Sequence, residues 1–222
     1  MLELIIKLQE PLIETLLLTC VPLALSVIFG FIIGTIIFVT SDSSIIDVSK
    51  NIFLRILNRV SDALVNIFRS IPYLILLIWV IPLARILTGS MLGWRAAVPS
   101  LVVSATPFFA RMTVVAFQEI DKGTIEASKA LGASTMQIIF KVLLPESLPA
   151  LISGITITAI NLVSYSTMAG AIGAGGLGFE AYQYGLARPN PPLMYAATIE
   201  IVIIVFIIQF IGDYFVKKVD KR

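Results

Sequence analysis

Ionised side chains divide this chain into apolar segments. Two uncharged runs are long, Thr15 to Ser41 with 27 residues and Ser147 to Phe179 with 33, and each exceeds the ~20 residues that an α-helix needs to cross a bilayer. Two shorter runs, Ser70 to Ala84 and Ala96 to Ala110, hold 15 residues each, so their helices must extend past Arg69 and Arg111. Long basic side chains near a helix end reach back to the interface and make that extension tolerable. A fifth apolar stretch, Leu193 to Val216, crosses only with Glu200 inside it. The pattern predicts an all-α membrane protein, a single domain over residues 1–222, with five transmembrane helices at about 12–40, 62–84, 95–117, 148–172 and 193–216. Leu17-Leu18-Thr19-Cys20 looks loosely like a lipoprotein cleavage box, but Glu10 and Glu14 interrupt the region before it and the apolar run continues well beyond Cys20. The segment therefore reads as an uncleaved span.

Composition agrees and removes several chemistries. Hydrophobic residues make up 58% of the chain, charged residues only 14%, and the mean hydropathy is +0.97, against about 25% charge in an ordinary soluble domain. No separate catalytic domain fits between five spans. Histidine is absent and Cys20 is the single cysteine, which excludes His-based acid–base catalysis, zinc and thiolate clusters, and an internal disulfide. The net charge of +2 is too balanced for a nucleic-acid partner. Placement of the basic residues is more informative. With the N-terminus outside, the inner segments hold Lys50, Arg55, Arg59, Arg69, Arg111, Lys122, Lys129, Lys141, Lys217, Lys218, Lys221 and Arg222, and the outer ones only Lys7, Arg85, Arg95 and Arg188. By the positive-inside rule the N-terminus is external, the C-terminus is cytoplasmic, and residues 118–147 form the largest cytoplasmic loop.

That loop is patterned. Ile125, Ser128, Ala130 and Leu131 alternate with Glu126 and Lys129, giving a short amphipathic helix that Gly132 ends in a left-handed turn. Ser134 caps a second helix that runs through Leu144 until Pro145 breaks it. The series Glu126-Ala127-Ser128, three residues, Gly132, nine residues, Val142, one residue, Leu144-Pro145 resembles the signature of binding-protein-dependent ABC importer permeases, Glu-Ala-Ala, three, Gly, nine, Ile, one, Leu-Pro. It departs only at Ser128 and Val142. Asn66-Ile-Phe-Arg-Ser-Ile-Pro72, Pro107-Phe-Phe-Ala-Arg-Met112 and the stretch from Tyr165 to Gly178 are similar to stretches of bacterial methionine importer permeases.

The resemblance implies a type I ABC importer permease fold with a coupling-helix hairpin, in the bacterial cytoplasmic (inner) membrane. It implies a homodimer, two cytoplasmic ATPase subunits that bind the ATP and Mg, and an external substrate-binding lipoprotein delivering a methionine-like amino acid. This subunit would then hold no cofactor and perform no catalysis. The coupling residues carried over are Ile125, Glu126, Ala127, Ser128, Leu131, Gly132, Leu144 and Pro145, with the apolar face of residues 125–131 expected in a groove of the ATPase.

Other motifs are weighed on physical grounds. Asn161, Ser164, Tyr165 and Met168 recur at three-to-four-residue spacing on one face of the fourth span and are expected to line the translocation path, Met168 as its gate. Gly173-Ala-Gly175-Gly-Leu-Gly178 fits the dinucleotide fingerprint literally, but that fingerprint needs a strand before it and a helix after it. A closely packed turn is expected instead. No P-loop sequence occurs, so energy must come from a partner. Arg69 with Pro72, and Arg111 with Pro107, read as anchored helix ends beside proline kinks, and Glu200 as an acid near the outer interface. The alternatives are an ion-coupled carrier or an importer permease for another small solute. A proton-coupled carrier needs midplane acids, and only Glu200 is a candidate.

Overall fold

The computed structural model describes residues 2–41, 45 and 51–220, with side chains from Lys7 onward. Everything regular among these residues is helical: α1 (Leu2–Val39), α2 (Ile52–Ser70), α3 (Tyr73–Thr88), α4 (Trp94–Gln118), α5 (Lys122–Ala130), α6 (Thr135–Ile138), α7 (Leu144–Ala169), α8 (Gly176–Tyr182) and α9 (Pro191–Val219). Among the described residues, four continuous helical stretches are long and apolar enough to cross a membrane: Lys7–Val39, Trp94–Gln118, Thr135–Ala174 and Pro191–Val219. The bent pair α2–α3 supplies a fifth crossing when taken as one span.

The span expected over 62–84, with a kink at Pro72, is two separate helices set at 111°. Pro72 is the cause. The residue before a proline is driven from the helical to the extended region, and Ile71 sits at φ −82°, ψ 124°, with Pro72 at φ −56°, ψ 136°. The first arm also begins ten residues before the expected start at 62, at Ile52, capped by Asn51, whose side chain accepts the Phe53 and Leu54 N–H groups.

Two glycines one helical turn apart let α1 lie directly on α4. A methyl group at Gly30 would sit 2.8 Å from the Thr106 carbonyl oxygen, and one at Gly34 would sit 2.5 Å from that of Ala110. Small residues at this spacing are a recurrent way of bringing membrane helices together. At the end of the molecule that carries α5, Phe38, Phe109, Phe117, Ile138, Ile139 and Leu143 form one apolar cluster. The ring of Phe117 meets those of Phe31 and Phe38 edge-on at 6.1 and 5.3 Å.

Pro145 does not break the hairpin's second arm, contrary to the sequence expectation. A π turn over Ile139–Leu143 joins α6 to α7, with the Leu144 N–H donating to the Ile139 carbonyl. The widened turn absorbs a residue that has no N–H to contribute, and the arm continues as the long helix through Ala169.

At the opposite end α7 gives way at Gly170–Ala174, where Gly173 takes φ +100°. The chain folds back so closely that Gly178 lies against Thr167. The Gly176 and Leu177 N–H groups, at the start of α8, donate to the Glu14 carboxylate at 2.7 Å and to Thr15 Oγ1 at 2.8 Å. Each satisfies an orphan donor of that helix start. The fingerprint-like run is thus a packed reversal between α7 and α8, without the strand a dinucleotide site requires.

Candidate functional site

Two features carry the expected functional residues, at different levels of the molecule. The first is the hairpin of α5 and α6. Asp121 starts α5 by accepting the Thr124 N–H at 3.3 Å. The helix closes in a Schellman turn, with Gly132 N–H donating to the Lys129 carbonyl at 2.9 Å and Ala133 N–H to that of Ser128 at 3.1 Å. Gly132 holds φ +79°, a conformation that costs a residue with a side chain about 1–2 kcal/mol. Ser134 and Gln137 then form a reciprocal capping box: Gln137 N–H donates to Ser134 Oγ at 3.3 Å, and Ser134 N–H to Gln137 Oε1 at 2.8 Å.

The direction of α5 differs from the expectation of an apolar face turned outward. Ile125 is buried in the chain's own cluster with Ile120, Ile138 and Leu143. It anchors the hairpin to the membrane domain. What the hairpin presents outward is Glu126, Ala127, Lys129 and, at 89% exposure, Leu131. Ser128 bonds its own helix through the Thr124 carbonyl at 2.8 Å. Leu144 is half-buried and Pro145 exposed on the second arm.

The second feature is the face of α7 that no other described residue covers. Ile157, Ser164 and Met168 are exposed there and Asn161 is half-buried, at spacings of three to four residues along one stripe. Tyr165 belongs to a different contact. Its ring stacks on Tyr73, the first residue of α3, at 4.7 Å and 14°, and Tyr73 Oη lies 3.4 Å from Ser100 Oγ. The neighbouring hydroxyls are absorbed internally: Thr158, Ser166 and Thr167 bond the carbonyls of Gly154, Val163 and Ser164 at 2.6, 2.7 and 2.6 Å. The Ser164 hydroxyl also bonds its own helix, through the Ile160 carbonyl at 3.4 Å, but Ser164 is exposed, and with Asn161 and Met168 it makes up the open stripe.

A family described as the binding-protein-dependent transport system inner membrane component matches residues 48–222. The chain belongs to this family. Among its relatives are the methionine import system permease protein MetP of Bacillus subtilis (strain 168), 54% identical over 168 residues, 76% of either chain. The probable D-methionine transport system permease protein MetI of Pasteurella multocida (strain Pm70) is 42% identical over 210 residues, 95% of this chain and 94% of that one. Among solved structures, a chain of the MetNI methionine ABC transporter in an inward-facing conformation superposes with a TM-score of 0.88 at 47% identity, over 94% of both. The all-α membrane fold is that of a type I importer permease, a multi-pass inner-membrane transport component.

Several residues that shape this permease lie outside the sequence motifs. Glu14 and Thr15 cap α8 from 162 residues away. Tyr73 reaches the α7 stripe's neighbour only because the chain bends at Pro72. Glu180 on α8 faces the same pocket as Glu10 and Glu14. Burial, then the nearby Glu14 charge, pushes its carboxyl above the ordinary range, and a hydrogen bond with Tyr184 works against that. Glu200 is the tenth residue of α9, half-buried, with Oε2 buried and unpaired among the described residues.

Proposed function

We propose that this permease forms the translocation path of an ATP-driven importer for methionine or a close analogue. It works as a homodimer with two ATPase subunits that bind ATP and Mg, and receives substrate from an external binding lipoprotein. The observation that carries the reading is the near-complete superposition on the MetNI permease chain at 47% identity. The carrier alternative lacks any comparable support.

In this reading α5 is the coupling helix and its end of the molecule is cytoplasmic, with the N-terminus outside. Contact with the ATPase falls to Glu126, Ala127, Lys129 and Leu131, while Ile125 and Ile138 transmit movement inward through the shared core. Gly132 fixes the angle between the arms. Substrate passes along the stripe of Asn161 and Ser164, and Met168 with its copy in the second subunit closes it by excluding water. Tyr165 supports the stripe through Tyr73.

Reconstitution tests the whole reading. The chain, co-expressed with an ATPase and a binding protein of the methionine importer type from the same organism, should copurify as one complex and drive ATP-dependent uptake of labelled methionine into proteoliposomes. A complex that assembles, hydrolyses ATP and carries no methionine would refute the substrate; a chain transporting alone would refute the ATPase coupling. For orientation, single cysteines in a Cys20→Ser background should react with an impermeant thiol reagent in intact cells at Asn190 but not at Gly123.

A further inference from the structure

The α2 helix has three longitudinal sectors, and the reading above uses none of them. Leu54, Leu57, Ser61, Val65 and Phe68 are buried or half-buried against α1 and α4. Ile56, Val60, Leu64 and Ile67 form an exposed apolar stripe. Arg55, Arg59, Asn66 and Arg69 form a second exposed stripe, well separated from the first around the helix. An amphipathic helix of this kind lies between two media. Its depth excludes a simple surface position: Phe68 lines a cavity with Val102, Thr106 and Pro107, which lie in the middle of the 25-residue α4. The last turn of α2 thus stands near the centre of the membrane, and α3 completes the crossing.

An exposed guanidinium at that depth has to face water or protein rather than lipid. Arg111 on α4 has an acidic partner, Asp62 on α2, at 3.5 Å. Arg69 has neither a hydrogen bond nor an ion pair among the described residues. Helical side chains tilt toward the N-terminal end of their helix, which directs Arg69 back along its own stripe. One turn further on, past the break, comes Tyr73, which supports Tyr165 beside the α7 stripe. The bend therefore sets an unpaired cation close to the level of the path.

Resting on the importer reading, we propose that the polar stripe of α2 lines the water-filled cytoplasmic half of the path, and that Arg69 is a transient counter-ion for the free carboxylate of the translocated amino acid. Guanidinium and carboxylate match in geometry and charge. Exposure to water keeps the contact weak enough to release. The apolar stripe of Ile56, Val60, Leu64 and Ile67 takes the lipid.

Labelling and transport test this separately. In inside-out vesicles holding the assembled transporter, single cysteines at Asn66 and Arg69 in a Cys20→Ser background should react with an impermeant methanethiosulfonate. Cysteines at Val60 and Ile67 should not. In proteoliposomes, Arg69→Gln should cut methionine uptake about tenfold, the loss of one charge-assisted hydrogen bond, while ATP hydrolysis stimulated by the binding protein continues, and Arg69→Lys should restore most of the uptake. Uptake at the wild-type rate in Arg69→Gln overturns the counter-ion, as does a loss of uptake and ATP hydrolysis together, which marks a helix-end anchor. An Asn66→Cys variant as unreactive as Val60→Cys overturns the wet stripe, and it decides the matter even if Arg69→Gln fails to assemble. If the intact complex carries no amino acid, the substrate reading falls, yet the labelling pattern still tests whether the stripe faces water.

Discussion

Substituting Gly132 separates backbone strain from contact at the coupling hairpin. Its φ of +79° is paired with open space, since a β-carbon there would meet no atom within 4 Å. A side chain thus costs only what the left-handed conformation costs, about 1–2 kcal/mol for alanine and more for a β-branched residue. Against this stand the anchors of the hairpin. Unburying Ile125 costs about 2 kcal/mol, and losing the Asp121 or Ser134 cap about 1 kcal/mol each. The anchors exceed the strain of alanine, so Gly132→Ala keeps the hairpin docked while altering its turn, and the melting temperature falls by only a few degrees. Asparagine, which tolerates the left-handed region, loses little. Methionine uptake per ATP hydrolysed in proteoliposomes is expected to fall in the order glycine, asparagine, alanine, valine. Normal assembly and uptake in Gly132→Val would refute the argument. So would equal damage from asparagine and valine, because the cause would then be side-chain bulk at the ATPase surface and not φ.

The other predictions rest on separate contacts. Glu180 has its carboxyl raised by burial and by Glu14, so its contribution to stability is present in acid and lost as pH rises through the raised value; Glu180→Gln should match wild type near about pH 4 and melt higher at about pH 8, and a constant difference across that range would exclude the titration. Gly34→Leu should destabilise the detergent-solubilised protein by at least about 1–3 kcal/mol, read as loss of the monodisperse peak after heating, because the added atoms meet the Ala110 carbonyl and Thr113; unchanged heat resistance would show that α1 and α4 are free to separate. Met168→Cys in both subunits should crosslink in the resting dimer and separate when ATP turns the transporter outward; an intact dimer that never crosslinks would exclude Met168 as the gate.

How much of this was legible in the sequence depended on whether a feature is local. The Ser134 cap, the left-handed Gly132 and the short helix before it each depend on a few consecutive residues, and all were readable. The amphipathic spacing of α5 was readable too, but periodicity defines a face without naming what covers it. The partners of Ile125, namely Ile138 and Leu143, approach only after the hairpin has closed, and so Ile125 serves the chain's own core while Leu131, assigned to the same face, stays exposed. The same limit hid Tyr73 from Tyr165, 92 residues apart in the sequence and stacked in the fold.

The second span failed for a different reason. A search for uncharged windows finds helices surrounded by lipid, where any ionised group is costly. It is blind to a helix such as α2, whose cations occupy one exposed stripe and whose apolar residues occupy another. The span expected over 62–84 therefore starts ten residues beyond the real helix start at Ile52, and it takes the break at Pro72 for a kink within one helix. Both errors share one origin, because a helix that is wet along one side is free to carry arginine deep into the membrane and to end there against a proline. The position where the apolar rule breaks down is thus the position where the chain departs from simple lipid solvation, and under the proposal above that departure follows the water-filled route.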